Sequence, residues 1–202
     1  MKIAILTFDG FNEIDSFVAC GILNRMKKDG WKAEIACPDP TVTSMNGVAI
    51  AAQQPLEFAS EADAVLVGSG INTRDIAADP SMLARIRLDP ARQLVGAQCS
   101  GTLLLSRLGL LDGVPACTDS TTKPWVVEAG VRVVDQSFIA SGNVATAGGC
   151  MSSVYLAAWF LTRLAGFEAA AGALRYVAPV GEKEAYVSHV LDTVRPYLAS
   201  AR

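Results

Sequence analysis

One histidine, His189, is all that the 202 residues of this chain contain. Enzymes that raise a cysteine or serine nucleophile with an imidazole need that ring within hydrogen-bond reach of it. His189 falls in what reads as a last, amphipathic helix, Glu182 to Leu198, where a lone histidine is most simply a surface residue. A Cys-His protease or amidotransferase mechanism therefore lacks its base. Cysteine is also sparse. Cys20, Cys37, Cys99, Cys117 and Cys150 are odd in number, scattered, and without the paired spacing of a zinc site. Reduced thiols are expected, with no metal and no cofactor. Charged residues make up only 18%, and a net charge of −3 offers no basic surface, which argues against nucleic acid or anionic membrane as a main partner. Apolar runs are short and broken by Arg or Gly, below the roughly 20 residues that a membrane span needs. Met1-Lys2-Ile3-Ala4-Ile5-Leu6 lacks the long apolar segment and small-residue cleavage site of a signal peptide. A cytoplasmic protein is the expectation.

What the chain does have is apolar substance, 51% of its residues, enough for a full α/β core. Lys2 to Phe8 reads as a buried strand and Phe11 to Lys28 as a helix stopped by Gly30. Trp31 to Cys37 is a second strand, and Asn46-Gly47 joins Val42–Met45 to Val48–Ala51 as a small hairpin. Ala64 to Val67 is another buried strand. Asp79-Pro80 opens a helix, with Asp as cap and Pro in the first turn. Strands are expected at Ala116–Thr118, Val131–Val134, Phe138–Ala140 and Val144–Ala147, with helices at Lys123–Ala129, Met151–Leu164 and Phe167–Tyr176. This alternation predicts a mostly parallel sheet sandwiched by helices, in one domain over residues 1–202.

Chemistry points to the stretch around Cys99. Leu94-Val95 begins it as a strand, and the sequence turns helical after Ser100. Ala97 and Gly101 stand two places either side of the cysteine. That is the pattern of a nucleophile elbow, in which a sharp strand-to-helix turn holds one side chain out. The helix that follows directs N–H groups and its positive end at the sulfur, so a thiolate is expected. In parallel sheets ligands bind beyond the carboxyl ends of the strands. Asp9 to Asp15, Gly68 to Arg74 and Cys99-Ser100 should converge there. Asp15 could turn a carboxyl toward the sulfur and share its proton; Glu13 is a rival from spacing alone. Gly70 and Ile71 could offer backbone N–H groups to an anionic intermediate, alongside the amide of Ser100.

With these residues in place the chain resembles the ThiJ/PfpI superfamily, whose sheet is flavodoxin-like with a class I glutamine amidotransferase-type elbow. Asp9-Gly10-Phe11-Asn12-Glu13-Ile14-Asp15 is similar to the segment carrying that family's acid, which the resemblance places on Asp15. Val67 to Arg74 resembles its oxyanion turn, with Gly68 and Ser69 substituted. Cys99-Ser100-Gly101, Gly109-Leu110-Leu111-Asp112-Gly113 and Thr146-Ala147-Gly148-Gly149 also match. The Gly-Leu-Leu-Asp-Gly exit is most similar to the isonitrile hydratase branch, which implies hydration of a small electrophilic substrate to an N-substituted formamide by Cys and Asp. Two residues depart from that pattern: Ser100 replaces the usual Thr, and Thr118-Asp119-Ser120 stands where many relatives place His or Tyr. Asp119 near the thiol would raise its pKa, and Cys150, just beyond Gly148-Gly149, could also line the pocket although it is not a usual family residue. The resemblance also implies a homodimer. It leaves two alternatives: a glutathione-independent glyoxalase, and a non-catalytic redox sensor whose Cys99 is oxidised to sulfinic acid beside Asp15.

Overall fold

The computed structural model describes residues 1–198. From β1 (Lys2–Leu6) the chain passes through α1 (Glu13–Leu23) and a 3₁₀ turn (Asn24–Asp29) into β2 (Lys32–Cys37). A hairpin of β3 (Thr41–Thr43) and β4 (Ala49–Ala51) follows, then β5 (Gln54–Pro55), β6 (Ala64–Val67), α2 (Thr73–Ala78), α3 (Pro80–Arg85) and β7 (Leu94–Gln98). Beyond β7 lie α4 (Gly101–Arg107), α5 (Lys123–Glu128), β8 (Phe138–Ser141), β9 (Val144–Ala147), α6 (Ser153–Ala165), α7 (Phe167–Val177) and α8 (Lys183–Val194). Seven strands make one sheet in the order β5-β2-β1-β6-β7-β9-β8. It is parallel except for β8, which runs antiparallel to β9. This is the flavodoxin-like α/β sandwich expected from the sequence.

The side-chain alternation of the strands builds two cores. Ile3 and Ile5 of β1, with Ala64 and Leu66 of β6, pack against α1, α6, α7 and α8. Ala4 and Leu6, with Val65 and Val67, face the opposite layer of Leu103, Leu104 and Leu105 from α4. Successive residues of a strand point to opposite faces, so strands covered on both sides are apolar throughout. α6 lies close enough to the sheet that a Cβ on Gly96 would meet Leu156 at 2.9 Å and Phe160 at 3.1 Å. No helix among the described residues is long and apolar enough to cross a membrane.

Where elements differ from expectation, side chains have taken over backbone partners. The first helix gives way to 3₁₀ geometry at Asn24, whose side chain bonds both the N–H and the C=O of Ala33 at 3.2 and 2.9 Å. Ala116–Thr118 and Val131–Val134 form no strands, only a bridge between Ala116 and Val133. The Cys117 amide is diverted to the Thr146 hydroxyl at 2.8 Å and cannot join a ladder. The last helix ends at Val194, where Pro196 enters a 3₁₀ turn. Residues 199–202, included in the single domain expected from the sequence, lie outside the described residues.

Candidate functional site

The carboxyl ends of β1, β6, β7 and β9 deliver four turns to one edge of the sheet. Cys99 sits at the first residue beyond β7 with φ of 45°, the one non-glycine residue in the left-handed region among the described residues. Such a backbone costs about 1–3 kcal/mol and persists only when its surroundings hold it. Here the Cys99 amide donates to Ala147 at 2.8 Å, and its carbonyl accepts from the Thr118 hydroxyl at 2.7 Å. Gly101 permits the turn: a Cβ there would lie 2.6 and 2.7 Å from the carbonyl oxygens of Val67 and Gly68. The elbow expected from Ala97 and Gly101 is formed.

Asp15 comes from the first turn of α1, whose start is fixed by the Asn12 side chain accepting the Ile14 amide at 3.1 Å. It is fully buried. Its Oδ2 accepts from the Ser69 hydroxyl, while Oδ1 has no partner among the described residues. A carboxylate oxygen of Asp15 and the sulfurs of Cys99 and Cys150 lie within 4.8 Å of one another. The rival acid, Glu13, is turned away and accepts from Ser44 Oγ and Asn46 Nδ2.

Burial raises the Asp15 pKa, and donation from the Ser69 hydroxyl and the neighbouring thiols offsets this only in part. Cys99 is likewise pushed up, first by burial and then by the charge of Asp15. The thiolate expected from the helix N-terminus is thus not favoured. α4 spans only 7 residues, and a buried carboxylate a few ångströms from the sulfur outweighs so short a dipole. The two groups behave as a coupled pair that resists a second negative charge. Asp119 adds a smaller effect of the same sign. Its Oδ1 accepts the Thr121 and Thr122 amides at 2.9 Å, which places it at the cleft's rim as a turn cap.

The oxyanion turn has a different layout from the one expected. The Ile71 amide donates to the Gly10 carbonyl at 3.0 Å, closing a bridge between Phe11 and Gly70, and so does not face the cleft as a free donor. The Gly70 amide donates to Ser100 Oγ at 3.2 Å, and that hydroxyl also meets Thr73 Oγ1 at 2.8 Å. A Cβ on Gly70 would strike the Gly10 carbonyl at 2.5 Å, so this position serves the close approach of the two loops. At the elbow itself the amides of Ser100 and Gly101 have no protein acceptor among the described residues.

The Cys99 sulfur opens on a cleft of about 410 Å³ walled by Met45, Ile71 and Trp125 on its apolar side and by Asn12, Asp119 and Thr122 on its polar side. A larger surface groove, about 910 Å³, lies between the Asn24–Asp29 turn and α7 and is lined by no cysteine. His189 does not line the Cys99 cleft: it is exposed on α8, with Nε2 3.1 Å from the Tyr155 hydroxyl. Cys150 lines this cleft, as its place just beyond Gly148-Gly149 suggested. Gln98, the residue before the nucleophile, holds that turn through Nε2 on the Gly149 carbonyl at 2.7 Å. Asp15, Cys99 and Cys150 together offer the donor set of a thiophilic cation, though binding would require both thiols to lose protons that the site retains.

The DJ-1/PfpI family model matches residues 1–163 of the chain. No curated protein matches it in sequence. Among solved structures, DJ-1 of Schizosaccharomyces pombe is 18% identical, with a TM-score of 0.75 over 89% of this chain and 100% of that one. A ThiJ/PfpI family protein from Pseudomonas syringae is 21% identical, with a TM-score of 0.75 over 98% of this chain and 89% of that one. A mutant of a DJ-1 superfamily protein from Salmonella typhimurium is 25% identical, with a TM-score of 0.70 over 82% of this chain and 90% of that one.

Proposed function

The chain belongs to the DJ-1/PfpI family, and from that premise we propose that it is a cysteine-dependent hydratase of isonitriles, with Cys99 as nucleophile and Asp15 as proton donor. The observation that carries this reading is a buried carboxyl with an unpartnered oxygen beside a strained thiol, with no imidazole in reach. Isonitrile carbon needs both a nucleophile and a proton, and a Cys-Asp pair supplies both without a histidine.

In its working state the pair holds one proton. As substrate enters, that proton passes to Asp15 and the Cys99 sulfur attacks the terminal carbon. Asp15 protonates the same carbon, which leaves a thioimidate, R–N=CH–S–Cys99, and a carboxylate. The carboxylate takes a proton from water as the hydroxyl adds to carbon, and returns it to nitrogen. The C–S bond then breaks and the hydroxyl proton returns to the pair, releasing the N-substituted formamide. The Ser100 and Gly101 amides, unpartnered at the elbow, are the donors this reading assigns to the oxygen that becomes negative in the collapsing adduct. The cleft's Met45, Ile71 and Trp125 suit a small apolar substituent, and two nearby carboxylates suit an uncharged one.

The test is turnover of a simple alkyl isonitrile, followed by loss of the isonitrile stretch and appearance of the formamide. Wild type should turn over and Cys99→Ser should not. Methylglyoxal consumption without formamide formation would favour a glyoxalase instead. We further propose that the chain pairs as a homodimer: exposed Ile14 and Phe17 of α1 adjoin exposed Met45 and Val48 of the hairpin, an apolar surface joined by the Glu13–Ser44 contact.

A further inference from the structure

Of the five free cysteines, Cys20, Cys37 and Cys117 have ordinary surroundings. Cys20 and Cys117 point their sulfurs at backbone carbonyls, of Ala33 and Thr146 respectively. Cys37 lies in the core at the end of β2. Cys150 does not fit this pattern. It follows two glycines, the second with φ of 88°, and opens a 3₁₀ turn of three residues. Its sulfur accepts from Asn12 Nδ2 at 3.2 Å and lies with the Cys99 sulfur and the Asp15 carboxylate inside the 4.8 Å cluster. Neither the hydration chemistry nor the packing uses it. Half-buried at the cleft, it is reachable by anything that reaches Cys99.

We propose that Cys150 is the resolving cysteine of Cys99: on oxidation by a hydroperoxide the two form a reversible disulfide across the mouth of the site. The proposal rests on the reading above only in taking Cys99 as the cleft's reactive thiol. In the first step the Cys99 sulfur attacks the peroxide, an S–O bond forms, and the O–O bond breaks. The thiol's proton leaves through Asp15 to the departing alkoxide, giving a sulfenic acid and an alcohol. In the second, the Cys150 sulfur attacks the sulfenic sulfur, the S–S bond forms, and the S–O bond breaks. The Cys150 proton, again accepted by Asp15, leaves with the hydroxide as water. Two thiols are oxidised and one peroxide is reduced.

The geometry asks for modest movement. A disulfide needs sulfurs at about 2.05 Å, so Cys150 must approach Cys99 by at most about 3 Å. Cys99 is fixed by hydrogen bonds on both sides of its strained backbone, and the Gly148–Gly149 backbone is tied by Gln98 and Ser152. The approach therefore falls to the Cys150 side chain, which gives up its Asn12 contact, and to a small shift of its three-residue turn. A carboxylate oxygen of Asp15 lies within 4.8 Å of both sulfurs, where the protons of either thiol can be received. A thiol without a resolving partner passes from sulfenic to irreversible sulfinic acid, and a nearby second thiol intercepts that path. Formation of the bond occupies the nucleophile and closes the cleft to substrate until a reductant opens it.

The experiment treats the full chain with hydrogen peroxide at equal concentration and reads intact mass and peptide maps under non-reducing conditions. Wild type should lose the mass of two hydrogens and yield a linked Cys99–Cys150 peptide, with three of five thiols still titratable. A thiol reductant should restore all five. Cys150→Ser should instead gain two oxygens on Cys99, and Cys150→Ala should do the same if serine disturbs the turn. Cys37→Ser, in the core at the end of β2 and outside the Cys99 cleft, should leave the linked peptide unchanged. A wild-type chain that gains two oxygens at Cys99 as fast as Cys150→Ser overturns the proposal. The mass readout is independent of turnover. A missing disulfide beside intact isonitrile hydration removes this inference alone, and a disulfide without hydration removes only the hydratase reading.

Discussion

A carboxyl group shut away from solvent, with one oxygen unpartnered, keeps its proton to higher pH than an exposed one, and Asp15 is such a group. Below its raised pKa the Asp15–Cys99 pair carries two protons, and the sulfur has no acceptor to give one to. Activity should therefore rise with pH through a limb above the usual carboxylate range, then hold until the thiol itself ionises. In Asp15→Asn that acid limb should vanish and turnover should fall by about 10²–10⁴-fold, the range for loss of a general acid; a pH–rate profile of both proteins checks this. The same shift governs stability. Asp15 has a raised folded-state pKa, so its favourable contribution is complete below the unfolded carboxylate value and declines as pH rises through the folded value. Asp15→Asn should thus gain thermal stability relative to wild type as pH rises from the usual carboxylate value through the raised folded one. A melting-temperature difference that stays flat across that range would mean that the burial of Asp15 costs the fold nothing.

Among the elements, the elbow is where sequence and chemistry meet most tightly. Small residues at Ala97 and Gly101 made it readable, because a close approach of strand and helix backbones leaves a trace in residue size. Gly101→Ala should force its methyl against the Val67 and Gly68 carbonyls and cost about 1–3 kcal/mol, the range for overpacking. It should also lower turnover more than stability, because a shift of an ångström at the nucleophile costs about 10²-fold; denaturant melts and kinetics together separate the two. The parallel strands and the hairpin were legible too, since β1 and β6 are apolar on both faces and Asn46-Gly47 suits a tight turn. What escaped reading depends on contacts remote in sequence. The Ile71 amide is taken by Gly10 and Cys117 is drawn off by Thr146, whereas Cys150 was readable at the pocket and meets the acid of α1 because β9 lies next to β7. The thiol's protonation was misjudged for the same reason: the helix after Cys99 is visible in the sequence, but the burial that outweighs it is not.

For the whole molecule, two cores on one sheet, one against α1, α6, α7 and α8 and the other against α4, share the same strands. We propose that they melt together as one domain, so calorimetry should give a single transition. Pairing through the exposed Ile14, Phe17, Met45 and Val48 should give twice the chain mass in light scattering at micromolar concentration. Ile14→Glu with Phe17→Glu should reduce it to one chain. The central claim, that Asp15 and Cys99 act together as acid and nucleophile, is tested most directly by intact-mass spectrometry of protein rapidly quenched from an alkyl isonitrile. The account predicts an adduct of the substrate's full mass on Cys99 in wild type, and none in Cys99→Ser or Asp15→Asn. An adduct of equal abundance in Asp15→Asn would contradict it, as would formamide formed by Cys99→Ser.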